Sequence, residues 1–148
     1  MTHRFAALAA VASAVAATAV LATSGAAQTQ GTTLHIVGTP ERGVAFFPKG
    51  APHPGDRLGF GGKVAGDDSG FSRAICTVLG KKGEGGQPCT IWVHLSRGTL
   101  ALQGLLPERA HDTPLAVTGG TGAYNGARGT ALVTDASRTK TRIEIALL

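Results

Sequence analysis

The chain has 148 residues, with 22 glycines, seven prolines, two cysteines and a formal net charge of +5, enough for one compact domain and too few for two. Its bases are scattered, Lys81-Lys82 is the one adjacent pair, and aromatics do not alternate with Arg or Lys, so the footprint of a nucleic-acid binder is missing. A weakly cationic surface that keeps the domain soluble is the simpler reading.

Residues 1–27 read as a secretory signal peptide. Arg4 gives a basic start, Phe5 to Leu21 is rich in Ala, Val and Leu, and Ser24-Gly25-Ala26-Ala27 offers a cleavage site before Gln28. An uncleaved membrane anchor is the alternative, although an Ala-rich run is only marginally hydrophobic for insertion. Cleavage removes one arginine and no acid, taking the charge from +5 to +4. It leaves a single domain over residues 28–148, expected to be secreted and to have no stable membrane span.

Beyond the signal, apolar residues recur with period two in short runs separated by Gly, Pro, Asp and Ser, the pattern of antiparallel strands. Strands are expected over Thr33 to Gly38, Arg57 to Val64, Phe71 to Leu79, Cys89 to Leu95, Thr99 to Leu105, Pro114 to Thr118, Ala127 to Thr134 and Thr141 to Leu147. With so many glycines and prolines, no window after residue 27 supports an amphipathic helix. An all-β, eight-stranded antiparallel barrel is therefore expected, because closure removes edge strands at this strand number. A two-layer sandwich is the rival, since periodicity alone does not separate closure from stacking. The stretch from Thr39 to Pro54, with Pro40, Pro48, Pro52 and Pro54, reads as an ordered loop. Its apolar centre Val44-Ala45-Phe46-Phe47 is suited to plugging a barrel end or docking on a neighbouring subunit.

Cys76 and Cys89 are expected to form one disulfide, since export places them in an oxidising compartment and folding the chain at Lys82-Gly83 sets them opposite each other. A reactive thiol is the competing reading and would need a basic partner. No metal-type spacing exists: His35, His53, His94 and His111 lie far apart and read as surface or lumen side chains. No cofactor is called for.

The glycine-dense stretch from Thr118 to Gly129 superficially looks like a nucleotide loop. Only nineteen residues follow it, and Thr130 to Val133 is β-type rather than helical. A tight connection between antiparallel strands, with glycines at positive φ and Tyr124 over the turn, is the fitting assignment. On the fourth strand Trp92 and His94 share one face and Ile91, Val93 and Leu95 the other. If the aliphatic set faces outward, Trp92 and His94 line the lumen; otherwise they face solvent.

Gly55-Asp56-Arg57-Leu58, Ile75-Cys76-Thr77-Val78, Leu102-Gln103-Gly104 and the run from Leu115 through Gly126 occur in this order. Together they resemble the pattern of the allene oxide cyclase and dirigent barrel superfamily over roughly residues 32 to 148. The resemblance implies an eight-stranded barrel with a lumen, often a homotrimer. It departs from the plant cyclases at Ile36, where they carry a catalytic glutamate, at Gly62 in place of an asparagine, and at Leu106 in place of a lumen tyrosine. Allene oxide cyclase activity itself is therefore not expected. Arg128 matches an arginine common in dirigent-type sequences. Its alternative role is to seal a barrel end by bonding to backbone carbonyls or to Glu144.

The functional expectation is a secreted barrel that binds a hydrophobic small molecule in its lumen and guides its cyclisation or coupling, with Arg128, His94, Trp92 and Glu144 as candidate lumen side chains. A non-catalytic carrier and a barrel packed solid with side chains are the other two readings.

Overall fold

The computed structural model describes residues 31–41, 50, 52–80, 86–107, 111–137 and 139–148. The expected signal peptide, the Phe46-Phe47 loop centre and the Lys82-Gly83 turn lie outside the described residues. Eight strands follow one another: β1 (Thr33–Pro40), β2 (Arg57–Gly66), β3 (Gly70–Thr77), β4 (Gln87–Leu95), β5 (Gly98–Leu106), β6 (Thr113–Gly120), β7 (Gly129–Ser137) and β8 (Lys140–Leu147). Each pairs antiparallel with the next, and β1 also pairs with β8, setting His35 opposite Glu144, so the sheet closes into a barrel. Closure leaves no edge strand and rules out the sandwich.

Two expected boundaries move for local reasons. β3 stops at Thr77 because Val78 exchanges backbone hydrogen bonds with the segment before β2, donating to Asp56 O and accepting from Gly55 N. β7 begins at Gly129 because Ala127 N–H bonds to Tyr124 O and closes a turn. That turn is a short 3-10 segment, Gly122–Tyr124, with Gly122, Gly126 and Gly129 all at positive φ. The glycine-rich stretch is thus a strand connection, as its residues require.

One phase of every strand points inward. Leu34 and Ile36, Val64, Ala74 and Cys76, Ile91, Val93 and Leu95, Leu100 and Leu102, Leu115 and Val117, Ala131 and Val133, and Ile143, Ile145 and Leu147 form one core cluster. Ile36, Val93, Leu100, Leu102 and Ile145 are almost wholly shielded from solvent. Burial of such side chains contributes roughly 1.5–3 kcal/mol each. Cys76 and Cys89, directly paired across β3 and β4, are joined by a disulfide.

The barrel ends differ. At the end where odd-numbered strands begin, three turns are tied together by a polar cluster. Asp68 Oδ1 accepts from Ser69 N, Ser96 N and Ser96 Oγ at 2.7, 3.2 and 2.7 Å. Asp68 Oδ2 accepts from the buried Tyr124 hydroxyl at 3.2 Å and lies 3.6 Å from Arg97 Nε. Arg97 Nη2 in turn donates to the Tyr124 hydroxyl at 3.4 Å. Ser96 Oγ–H foremost, with the backbone N–H donors of Ser69 and Ser96, holds the Asp68 carboxyl down at about 2. Burial, then the bond to Asp68, pushes the Tyr124 phenol up. This end is closed; the opposite end is the mouth.

Candidate lumen site

Small residues interrupt the inward phase of three neighbouring strands. Along β1 it runs from Leu34 and Ile36 to Gly38 and Pro40; on β2 Gly62 stands between Val64 and Phe60; on β3 Ser72 and Ala74 precede Cys76. Small inward residues leave the barrel half filled, with a cavity of about 580 Å³ opening at the mouth. Its wall is mainly apolar: Leu58, Phe60, Ala74, Ile91, Leu106, Val133 and Ile143, with Cys76 of the disulfide among them. Phe60 is 39% exposed although it shares its phase with buried Val64, so its free ring surface faces this cavity.

A few polar groups interrupt the wall: Thr39, Ser72, Gln87, Thr141 and Asp135. Thr141 Oγ1 donates to Asp135 Oδ1 across the β7–β8 pair at 3.5 Å. An apolar chamber with a handful of placed polar groups is the general form of a small-molecule site, and its volume falls within the usual range of about 300–1,000 Å³. A second hollow of similar size, about 630 Å³, lies among Ile75, Thr90, Trp92, Gln103 and Leu105. It sits on the convex outer face of β3 to β5 and lacks the surrounding strands that shield a ligand from water, so the lumen is the better candidate.

None of the four candidate lumen residues lines the cavity. Ile91, Val93 and Leu95 take the inward phase of β4, because that is where apolar area is removed from water. Trp92, 37% exposed, and His94 are therefore outside. His94 stacks on Phe71 with ring centroids 4.5 Å apart, and its Nδ1 meets Thr99 Oγ1 at 2.9 Å. Arg73 joins this outer cluster, its guanidinium carbon 4.9 Å from the centroid of the Phe71 ring. Glu144 alternates with buried Ile143 and Ile145 and faces outward; its Oε2 is 3.9 Å from His35 Nε2. His35 N–H, then its ring, draw the neighbouring Asp67 carboxyl below its ordinary value. Arg128 stands at the closed end, donating from Nη1 to Thr118 O at 3.1 Å and Ala127 O at 2.9 Å. This is the end-sealing arrangement on backbone carbonyls, without Glu144. Among the described residues no group of three His, Cys, Asp or Glu side chains converges as a metal site.

Strand phase accounts for most of the cavity's own polar residues. Once Ile91 and Cys89 are inward, Gln87 is inward too; Ile143 places Thr141 inward, and Val133 places Asp135.

No protein-family profile matches this chain, and no curated protein does. Among solved structures, the barrel is similar to that of a pyocyanin demethylase, with a TM-score of 0.68 and 21% identity over 79% of this chain and 100% of that one. At this identity the likeness is one of fold.

Proposed function

We propose that the protein binds a hydrophobic small molecule in the mouth half of its barrel. The observation that carries this reading is the chamber of about 580 Å³ left by Gly38, Gly62, Ser72 and Ala74, in a barrel whose other half is packed tight. The similar fold of a pyocyanin demethylase, whose name assigns it a small-molecule substrate, supports it. So does the resemblance of its ordered motifs to those of allene oxide cyclases and dirigent proteins.

Among the described lining residues the acid–base groups are few: one carboxylate, three hydroxyls and an amide. That set suits holding a ligand better than ionising one, so the carrier reading is preferred to guided cyclisation or coupling. The disulfide suits a non-reducing compartment and supports export. Exposed Ile75, Trp92 and Leu105 on the outer face support the homotrimer that the resemblance implies, which sedimentation equilibrium would test.

Gly38→Leu tests the binding reading directly. A Cβ on Gly38 meets only Thr141 O, at an ordinary 3.7 Å, so a larger side chain enters the cavity without displacing backbone. Titration with the neutral fluorophore N-phenyl-1-naphthylamine should give saturable enhancement with the native chain and none with a folded Gly38→Leu variant. Equal enhancement in both would place binding elsewhere and sink the reading.

A further inference from the structure

Resting on the mouth cavity as the binding site, we propose that its ligand is an aromatic molecule bearing a cationic nitrogen, with the ring in the chamber and the charge at Asp135.

Four observations on the wall support this. Asp135 is the one charged side chain among the described residues lining the cavity, and it continues the inward phase of Ala131 and Val133 to the rim. A carboxylate at the rim of an apolar chamber favours a positive group and disfavours a negative one. Phe60 presents free ring surface into the same chamber. That face attracts cations through its quadrupole and stacks with a flat ring. Ser72 and Thr141 hydroxyls and the Gln87 amide carbonyl supply acceptors for N–H groups. Ile91, Val133 and Ile143 supply apolar wall for the hydrocarbon part.

The position of the charge sets the size of the effect. Asp135 is exposed at the rim, so solvent screens it and the preference is moderate. An anionic probe of the same ring system measures the sign of the preference directly.

Three probes with one ring system and different charge decide the matter: 1-naphthylmethylammonium, 1-naphthylmethanol and 1-naphthoate, titrated by their fluorescence at low ionic strength. The expected order places the ammonium first, about tenfold tighter than the carboxylate, as screened attraction of the one and repulsion of the other by Asp135 would give. Asp135→Asn should bring the two within about twofold, Asp135→Glu should restore the preference, and raised salt should shrink it in the native chain. A preference that survives in Asp135→Asn, or naphthoate binding as tightly as the ammonium, overturns the ligand class. In that case Gly38→Leu-sensitive binding of 1-naphthylmethanol keeps the cavity itself as the site. If no naphthyl probe binds the native chain, both the cavity reading and the ligand class fall.

Discussion

The Tyr124 hydroxyl donates to the Asp68 carboxylate at 3.2 Å across 56 residues of sequence, joining the β6–β7 connection to the β2–β3 turn. With Ser96 and Arg97 from the β4–β5 turn, this contact closes one end of the barrel, away from the cavity of about 580 Å³.

Acid should open that end first. The folded-state pKa of Asp68 is held at about 2, below its ordinary 3.8, chiefly by the Ser96 hydroxyl. The folded chain therefore binds this proton less readily than the unfolded one. The corresponding stability is present above about pH 4 and is lost as pH falls toward 2. Urea unfolding across this range should show a falling midpoint for the native chain. Asp68→Asn should be less stable than the native chain at pH 6 and lose less between pH 4 and 2; parallel curves would mean that Asp68 does not carry the acid dependence.

Alkali acts through the partner. Burial and the bond to Asp68 push the Tyr124 phenol up, so its stabilising share is complete below its unfolded value of 10 and declines as pH rises beyond it. Tyr124→Phe should lower the melting temperature at pH 7 and flatten the decline between pH 10 and 11. Thermal melts at pH 7, 10 and 11 read both effects, and an unchanged melting temperature at pH 7 would show the hydroxyl to be dispensable for closure.

The disulfide should matter to stability and also to the wall of the cavity. Cys76 and Cys89 lie 13 residues apart, a loop length at which a crosslink contributes about 3 kcal/mol by restricting the unfolded chain. Intact mass should show the loss of two hydrogens relative to the reduced chain. Denaturant unfolding of the Cys76→Ser/Cys89→Ser variant should show a loss of about that size. Two titratable thiols in protein exported from cells would contradict the pairing.

Much of this architecture is legible in the residues because period two is a strong local signal. All eight strands appear within a few residues of their expected bounds, and the Cys76–Cys89 pairing follows from folding two neighbouring strands together. The inside and outside of β4 are not legible in the same way. Alternation defines two faces, and Trp92 and His94 fix neither until Phe71 and Arg73 on β3 are seen to share their side. The closing cluster is hidden for another reason. Asp68, Ser96, Arg97 and Tyr124 each look like ordinary turn residues, and only barrel closure brings the three turns together. The cavity depends on the inward small residues Gly38, Gly62 and Ala74, whose meaning appears only when their phase is known.

The barrel's two halves should respond oppositely to changes in side-chain volume. Leu100 and Leu102 on β5 are wholly enclosed in the packed half. Truncating either to Ala should cost about 2–5 kcal/mol, the transfer term plus the void left behind. Gly38→Leu in the mouth half adds apolar volume where space exists and replaces a weak strand former, so it should leave stability unchanged or raise it. Gly62 is the contrast within the same half: a Cβ there runs into the backbone of Thr39 and Pro40, so Gly62→Ala should destabilise even though it too faces the cavity. Denaturant midpoints for Leu102→Ala, Gly38→Leu and Gly62→Ala should therefore fall, hold and fall. A loss of stability in Gly38→Leu comparable to that in Leu102→Ala would mean that the mouth half is as densely packed as the core, with no room for a ligand.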